Sequence, residues 1–282
     1  VVVNDLGGSV DGQGGSRAAA DLVVDEIRNA GGSAVASYDS VADDAGCRAI
    51  AALALEEQGR IDAVVHNAGI LRNAPFHEMT DDRFFPVLET HLLGAFYLTR
   101  AVYPTMIEQG YGRIVFTSSG TGAFGRPDGA NYASAKAALL GLCNALAIEG
   151  AAHGILANAI LPVAYTRLAG APDITDTSDQ AVVARAEAAS SRARMLPEWV
   201  SPMVVYLASE ECTRTRHYYS AALGRFARVF VAATSGWYAP GDTPPTVEAI
   251  AAHLDAIENL DEFDLPDSVF DEVAKITERN AP

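Results

Sequence analysis

Tyr132-Ala-Ser-Ala-Lys136 opens a helical stretch, and a spacing of four puts the phenol and the ammonium on one helix face. A phenol in water ionises near pH ~10, and a cation within about 4–6 Å favours its charged form, so Lys136 would make Tyr132 a proton donor and acceptor usable near neutrality. Carbonyl reduction and alcohol oxidation need such a general acid/base. The spacing alone equally describes a surface tyrosine beside a solvated lysine. Ser119, thirteen residues earlier in Thr117-Ser118-Ser119-Gly120, ends an apolar run. Its hydroxyl there either orients a substrate oxygen or closes a turn.

A second set of residues suits a flat, sugar-bearing ligand. Asn67-Ala68-Gly69 also follows an apolar run, and its small residues either let a ligand approach the backbone or form a turn with an Asn cap. Asp5, after Val1-Val2-Val3-Asn4, is placed to accept hydrogen bonds from a ribose diol, and its charge opposes a 2′-phosphate. Asp39-Ser40 ends the next run, where it contacts an adenine edge or caps the helix that follows.

The elements that must position these residues alternate. A glycine-rich loop, 7–15, leads into a helix from 16 that stops at Gly31-Gly32; a strand follows over 33–38 and a helix over 41–58. Then come a strand over 61–66, a long helix over 80–109, a strand over 113–118, a helix over 130–152 and a strand over 155–161. Strands alternating with such helices build βαβ units, a parallel sheet with helices on both faces, and with right-handed crossovers a doubly wound, Rossmann-like α/β fold. Ligands of such sheets gather at the carboxyl ends of the strands, where Asp5, Asp39, Asn67 and Ser119 fall. Beyond Pro162 the segment 173–193 reads as a loop with one weak helix, 197–209 as a helix and 225–232 as a strand. A tail from 243 carries helices over 246–258 and 268–278. No linker interrupts the chain, so 1–282 reads as a single domain.

Composition narrows the partners. The 282 residues are 49% hydrophobic, enough for a sizeable core, and 20 Lys and Arg against 36 Asp and Glu give a net charge of −16. Such a surface repels phosphate backbones and anionic lipid, which argues against nucleic acid and membranes and leaves a small molecule as ligand. The apolar tract 137–163 is broken by Asn144, Glu149, His153 and Asn158 and reads as a buried helix and strand. Cys47, Cys143 and Cys212 form no Cys-x-x-Cys pair and no cluster with the six histidines, so no disulfide framework or metal site is expected, and a reducing, cytoplasmic setting fits.

Taken together, Asp39, Asn67-Ala68-Gly69, Ser119, Tyr132 with Lys136, and Pro162 resemble the short-chain dehydrogenase/reductase family in order and spacing, over about residues 1–209. The segments Val-Val-Val-Asn-Asp-Leu-Gly-Gly, Tyr-Asp-Ser, Asn-Ala-Gly-Ile-Leu-Arg and Tyr-Gly-Arg-Ile-Val-Phe-Thr-Ser-Ser look most like one branch. That branch is the 3-hydroxyacyl-CoA dehydrogenase domain of the peroxisomal multifunctional β-oxidation enzyme and its bacterial single-domain relatives. The resemblance implies an NAD(H)-dependent oxidoreductase that interconverts a secondary alcohol and a ketone, with a 3-hydroxyacyl thioester as the substrate suggested by the branch. Tyr132 would be the acid/base, Lys136 would lower its pKa and bind the nicotinamide ribose, and Ser119 would hold the substrate oxygen. Many members carry an Asn in the long helix that helps a relay water; His91 stands at that position, either in that role or as a satisfied core histidine. Asp5, Asp39, Ser40, Asn67, Ala68, Gly69, Pro162, Val163 and Thr166 would line the NAD site with Tyr132 and Lys136. The long helices would mediate a homodimer or homotetramer.

Two departures accompany the resemblance. The family's first strand and its Thr-Gly-x-x-x-Gly-x-Gly turn have no match, so the chain reads as an N-terminally truncated member expected to hold the dinucleotide poorly and to leave its sheet open. Val163 stands where most members have Gly after Pro, which loosens the assignment of 163–166. The competing reading is therefore a pseudo-enzyme or scaffold subunit without the pyrophosphate-binding turn. A nucleotide-sugar epimerase shares Tyr-x-x-x-Lys but needs a larger C-terminal substrate domain.

Overall fold

The structure is a computed structural model that describes residues 1–169 and 193–279. All but the last residue of the 173–193 loop expected from the sequence lies outside them. Contacts divide the chain into Val1–Arg228 and Val229–Pro282. The boundary falls inside the stretch read as a strand over 225–232, whose alternation carries no mark of where the packing partner changes.

In the first unit β1 (Val2–Asn4) pairs in parallel with β2 (Val35–Ser37), joined by α1 (Ala18–Asn29). α2 (Asp44–Gln58) starts where the Asp43 carboxylate accepts the Gly46 N–H at 2.8 Å and stops at Gly59, whose φ of +69° suits the left-handed cap. β3 (Ala63–His66), β4 (Gly112–Thr117), β5 (Ile155–Val163), β6 (Tyr218–Ala222) and β7 (Arg225–Val229) form the main sheet in that order. β3 to β6 are parallel. The turn Leu223-Gly224, with positive φ at both residues, leads from β6 to β7 in the manner of a hairpin. Residues 112–116 of β4 are all buried, as expected of a strand covered on both faces.

Among the described residues β1 pairs with β2 alone, and β3 pairs with β4 alone. The sheet is therefore in two pieces, and a cleft of about 1240 Å³ lies between them. Its wall runs from Val1, Val2 and Ile61 at one end to Asn67, Ser119 and Tyr132 at the other. Val65 is 43% exposed because β3 presents an open edge there.

The long helix expected over 80–109 is interrupted. α3 (Asp81–Leu88) passes into a π-helical turn, Glu89–Leu93, before α4 (Gly94–Gln109). Pro86 has no N–H to give the carbonyl of Asp82, and the Arg72 guanidinium bonds that carbonyl instead at 2.7 Å. α5 (Gly120–Phe124) and α6 (Ala130–Gly150) follow β4, and α7 (Ser201–Ala208) packs on the sheet through Leu207 against Val115 and Ile160. α6 is apolar and long enough to cross a membrane by length and composition, yet Asn131, Ala135, Lys136, Leu139 and Cys143 on it are buried within the unit.

The second unit holds a short antiparallel pair, β8 (Ala233–Thr234) with β9 (Phe263–Asp264), and helices α8 (Val247–Ala252), α9 (Leu254–Ile257) and α10 (Val269–Arg279). Trp237 stacks on His253 with ring centroids 4.0 Å apart.

Candidate active site

The first turns of α6 present Tyr132 and Lys136 beside the end of β4. Asn131, fully buried, fixes that start: its Nδ2 donates to the carbonyls of Arg72 and Arg83, both at 2.8 Å, and its Oδ1 accepts the Tyr132 N–H. Ser119 leaves β4 with an extended backbone, and its Oγ accepts the Thr121 N–H at 3.1 Å, so it does cap the turn. The same hydroxyl lies near enough to the Tyr132 phenol to favour its ionised form, and both line the cleft. Its two readings, turn cap and substrate-facing hydroxyl, are compatible in one position.

Lys136 is buried, and its Nζ donates to the carbonyl of Thr117. The ammonium lies 5.6 Å from the Tyr132 ring centroid. Burial alone brings its pKa down to about 7. Tyr132 differs from the sequence expectation: burial raises its pKa, while the Ser119 hydroxyl and the Arg126 guanidinium pull it back. Arg126 is a second cation beside the phenol, one that the sequence did not point to, while the Lys136 ammonium donates to the Thr117 carbonyl.

His91 sits in the π turn, and its ring meets Tyr132 edge-on with centroids 5.2 Å apart. Nε2 faces both the Ile70 N–H at 3.1 Å and the Ile70 carbonyl at 2.9 Å, whereas Nδ1 is buried with no partner. Burial and Lys136 hold the imidazole neutral, well below its usual range. Gly69 lies against this ring, since an added Cβ would come within 2.1 Å of His91 Cε1. Its smallness thus serves the histidine before it serves a ligand. Gly69→Ala is expected to destabilise the protein by about 1–3 kcal/mol through overpacking. In a His91→Ala background it should cost less, and a double-mutant cycle on thermal unfolding measures the difference.

The cleft wall contains Asp5, Asp39, Ser40, Asn67, Ala68, Gly69, His91, Ser119, Tyr132, Lys136, Pro162 and Thr166. Val163 is the exception. It is 44% exposed and absent from the wall while Pro162 and Ala164 belong to it, because successive residues of a strand point to opposite faces. Asp5 accepts the Gly7 N–H at 2.6 Å and stands 3.9 Å from Arg167. Ser40 Oγ accepts the Ala42 N–H at 3.1 Å, and Asp39 accepts from the Ser37 hydroxyl at 3.0 Å. Gly8 and Gly12 reach the wall, but Gly14, Gly15 and the first turn of α1 do not. Among the described residues no three His, Cys, Asp or Glu side chains group as a metal site.

The sequence profile for short chain dehydrogenases matches residues 10–171, more than half of the chain. The chain belongs to the short-chain dehydrogenase family. A protein of Mycobacterium tuberculosis named as a short-chain type dehydrogenase/reductase is 42% identical over 92% of this chain and 85% of its own length. An acetoacetyl-CoA reductase of Shinella zoogloeoides is 49% identical over 104 residues, 37% of this chain and 43% of that protein. The solved full-length peroxisomal multifunctional enzyme type 2 of Drosophila melanogaster superposes with a TM-score of 0.76 at 29% identity, over 99% of this chain and 48% of that one. The chain thus spans about half the length of that enzyme.

Two features of this short-chain dehydrogenase escaped sequence reasoning. His66, the last residue of β3, is 2% exposed, and both ring nitrogens are buried without a partner. Burial and Lys136 bring its pKa down to about 3. A buried histidine at a strand end looks apolar in pattern, so no sequence signal marked it. Arg126 borders the Tyr132 ring at 5.8 Å from a loop whose sequence, Gly-Arg-Pro-Asp-Gly, reads only as a turn.

Proposed function

We propose that this short-chain dehydrogenase oxidises a secondary alcohol to a ketone, and catalyses the reverse reduction, with NAD(H), and that its substrate is a 3-hydroxyacyl thioester. The observation that carries the chemistry is the grouping of the Ser119 hydroxyl, the Tyr132 phenol and Lys136 on the wall of one cleft, at the end of β4 and the start of α6. As the alcohol is oxidised, its O–H proton passes to the Tyr132 phenolate while its carbinol hydride leaves with an electron pair. Ser119 donates a hydrogen bond to the substrate oxygen as it becomes a carbonyl. The ring of His91 meets Tyr132 edge-on and positions it, and Lys136 ties the same helix to the Thr117 carbonyl at the end of β4.

The wall chemistry fits part of a nicotinamide dinucleotide. Asp5 and Asp39 offer carboxylates to ribose hydroxyls, Ala68 and Gly69 leave backbone uncovered, and Lys136 with Asn67, Pro162 and Thr166 borders the reacting end. When bound, such a cofactor supplies the hydride acceptor. No wall residue is assigned to its pyrophosphate. Asp5 supports NAD over NADP, and Arg167 beside it offsets part of that charge. Asp5→Ser is accordingly expected to narrow the NAD:NADP preference in kcat/KM. The 3-hydroxyacyl thioester is supported by the branch resemblance and by the acetoacetyl-CoA reductase relative.

The test is reduction of acetoacetyl-CoA by NADH, followed by loss of nicotinamide absorbance. Turnover supports the proposal. Folded protein that neither turns over nor binds NADH returns the scaffold reading. We also propose self-association through α4 and α6, on which Phe96, Ile107 and Ile148 are exposed. A monomeric mass by light scattering would contradict it.

A further inference from the structure

The cleft of this strongly acidic chain is bordered by an arginine that no carboxylate neutralises among the described residues. Arg126 lies on the exposed loop between α5 and α6, on the cleft wall and 5.8 Å from the Tyr132 ring centroid. Its placement is built. Nη2 donates to Asn73 Oδ1 at 2.7 Å, and the carbonyl of Asn73 accepts in turn from Arg83 at 3.0 Å. The neighbouring loops are joined by the Ala74 N–H donating to the Asp128 carbonyl at 3.1 Å, and Asp128 holds a φ of +58°, uncommon for a residue with a Cβ. Gly129 makes room for the side chain, because a Cβ there would come within 2.8 Å of Arg126 Nε.

The partner that holds Arg126 is a neutral amide. No carboxylate lies within 4 Å of the guanidinium among the described residues, although acids outnumber bases by 16 in the chain. Arg72, also on the wall, is committed: its donors serve the carbonyls of Asp11 at 2.8 Å and Asp82 at 2.7 Å. Among the described residues Arg126 combines an anchored position, no carboxylate partner and proximity to the proposed acid/base. A guanidinium so placed matches a phosphate or a carboxylate.

We propose that Arg126 binds an anionic group carried by the substrate and so sets the preference for charged over uncharged substrates. This rests on the alcohol–ketone chemistry proposed above. The anion has two sources, the phosphates of a coenzyme A thioester or the carboxylate of a free 3-oxo acid.

The experiment compares reduction of acetoacetyl-CoA, acetoacetate and the uncharged N-acetylcysteamine thioester of acetoacetate by wild type, Arg126→Gln and Arg126→Lys. The pull of Arg126 on the Tyr132 phenol is common to all three, so the ratio of kcat/KM for charged over uncharged substrate isolates direct contact. That ratio is expected to fall about tenfold or more in Arg126→Gln, and Arg126→Lys should recover part of it. A fall confined to acetoacetyl-CoA assigns the phosphates, and one confined to acetoacetate assigns the carboxylate. An unchanged ratio overturns the proposal, including the case where all three substrates slow together. If the wild type reduces the uncharged thioester, the chemistry stands whatever Arg126 does. If it reduces none, the chemistry fails on its own. Calorimetric titration with coenzyme A and with acetoacetate then decides on Arg126, where equal affinities for wild type and Arg126→Gln overturn it and weaker binding to the variant supports it.

Discussion

Tyr132→Phe lowers turnover roughly a hundred- to ten-thousand-fold and leaves the protein folded. The phenylalanine ring keeps the edge-on contact with His91, and α6 keeps its anchor through Asn131. The loss is one hydroxyl near that of Ser119, which still caps Thr121. Even a full hydrogen bond between them would contribute only about 0.5–1.5 kcal/mol net, so the thermal midpoint moves by a few degrees at most, roughly 4 °C for a domain of this size. The wild-type pH profile has a definite sign. Oxidation needs the phenolate and reduction the phenol, and burial raises the Tyr132 pKa, so oxidation gains rate with rising pH while reduction loses it. A variant with turnover within tenfold of the parent would remove Tyr132 from the reaction.

Lys136→Met is expected to trade activity for stability. The folded pKa of about 7 lies below the 10.5 of a free lysine. Between those values the unfolded chain binds the extra proton, so wild-type stability falls as pH drops from about 10.5 to about 7 and levels below. Each unit corresponds to roughly 1.4 kcal/mol. The variant removes that slope and leaves the Thr117 carbonyl without its Lys136 donor, a loss of about 1–3 kcal/mol if the group stays unsatisfied. At pH 7 the balance favours the methionine protein by about 2 kcal/mol. Chemical denaturation at pH 7 and pH 9 reads both the gain and the lost slope, and turnover should fall with them. Equal pH dependence in the two proteins would show that the ammonium is not what burial penalises.

Much of this site was legible because its residues fall where elements end. Asn67, Ser119 and Tyr132 each follow or open a run whose apolar period is unmistakable, and an α/β order then brings those ends to one edge of a sheet. Orientation within a run was less legible. Val163 lies on β5 with its side chain off the cleft wall, since Pro162 fixes position along the chain and not which side the next residue takes. Gly69 was read through a ligand, yet its neighbour is His91, 22 residues away, a contact that only packing reveals. The gap between β1 and β3 and the boundary at Val229 are likewise tertiary facts: each strand there looks locally complete. His66 was hidden because a buried polar ring obeys the same alternation as its apolar neighbours.

The widened turn at Glu89–Leu93 has a consequence for how the site tolerates change of length. A π turn accommodates one residue more than the regular helix around it. Deleting Thr90 would let α3 and α4 join as one uninterrupted helix, an apparent gain in regularity. Because the π turn already absorbs that residue, α3 and α4 would keep their present phase, and only the widened turn that carries His91 would be lost. His91 would then lose the bulged position from which it meets Tyr132 edge-on, while Gly94, where an added Cβ would crowd Val41 and His66, would keep its place. The extra residue is taken up locally, which lets a single element aim one side chain at the reaction while its two halves stay in step.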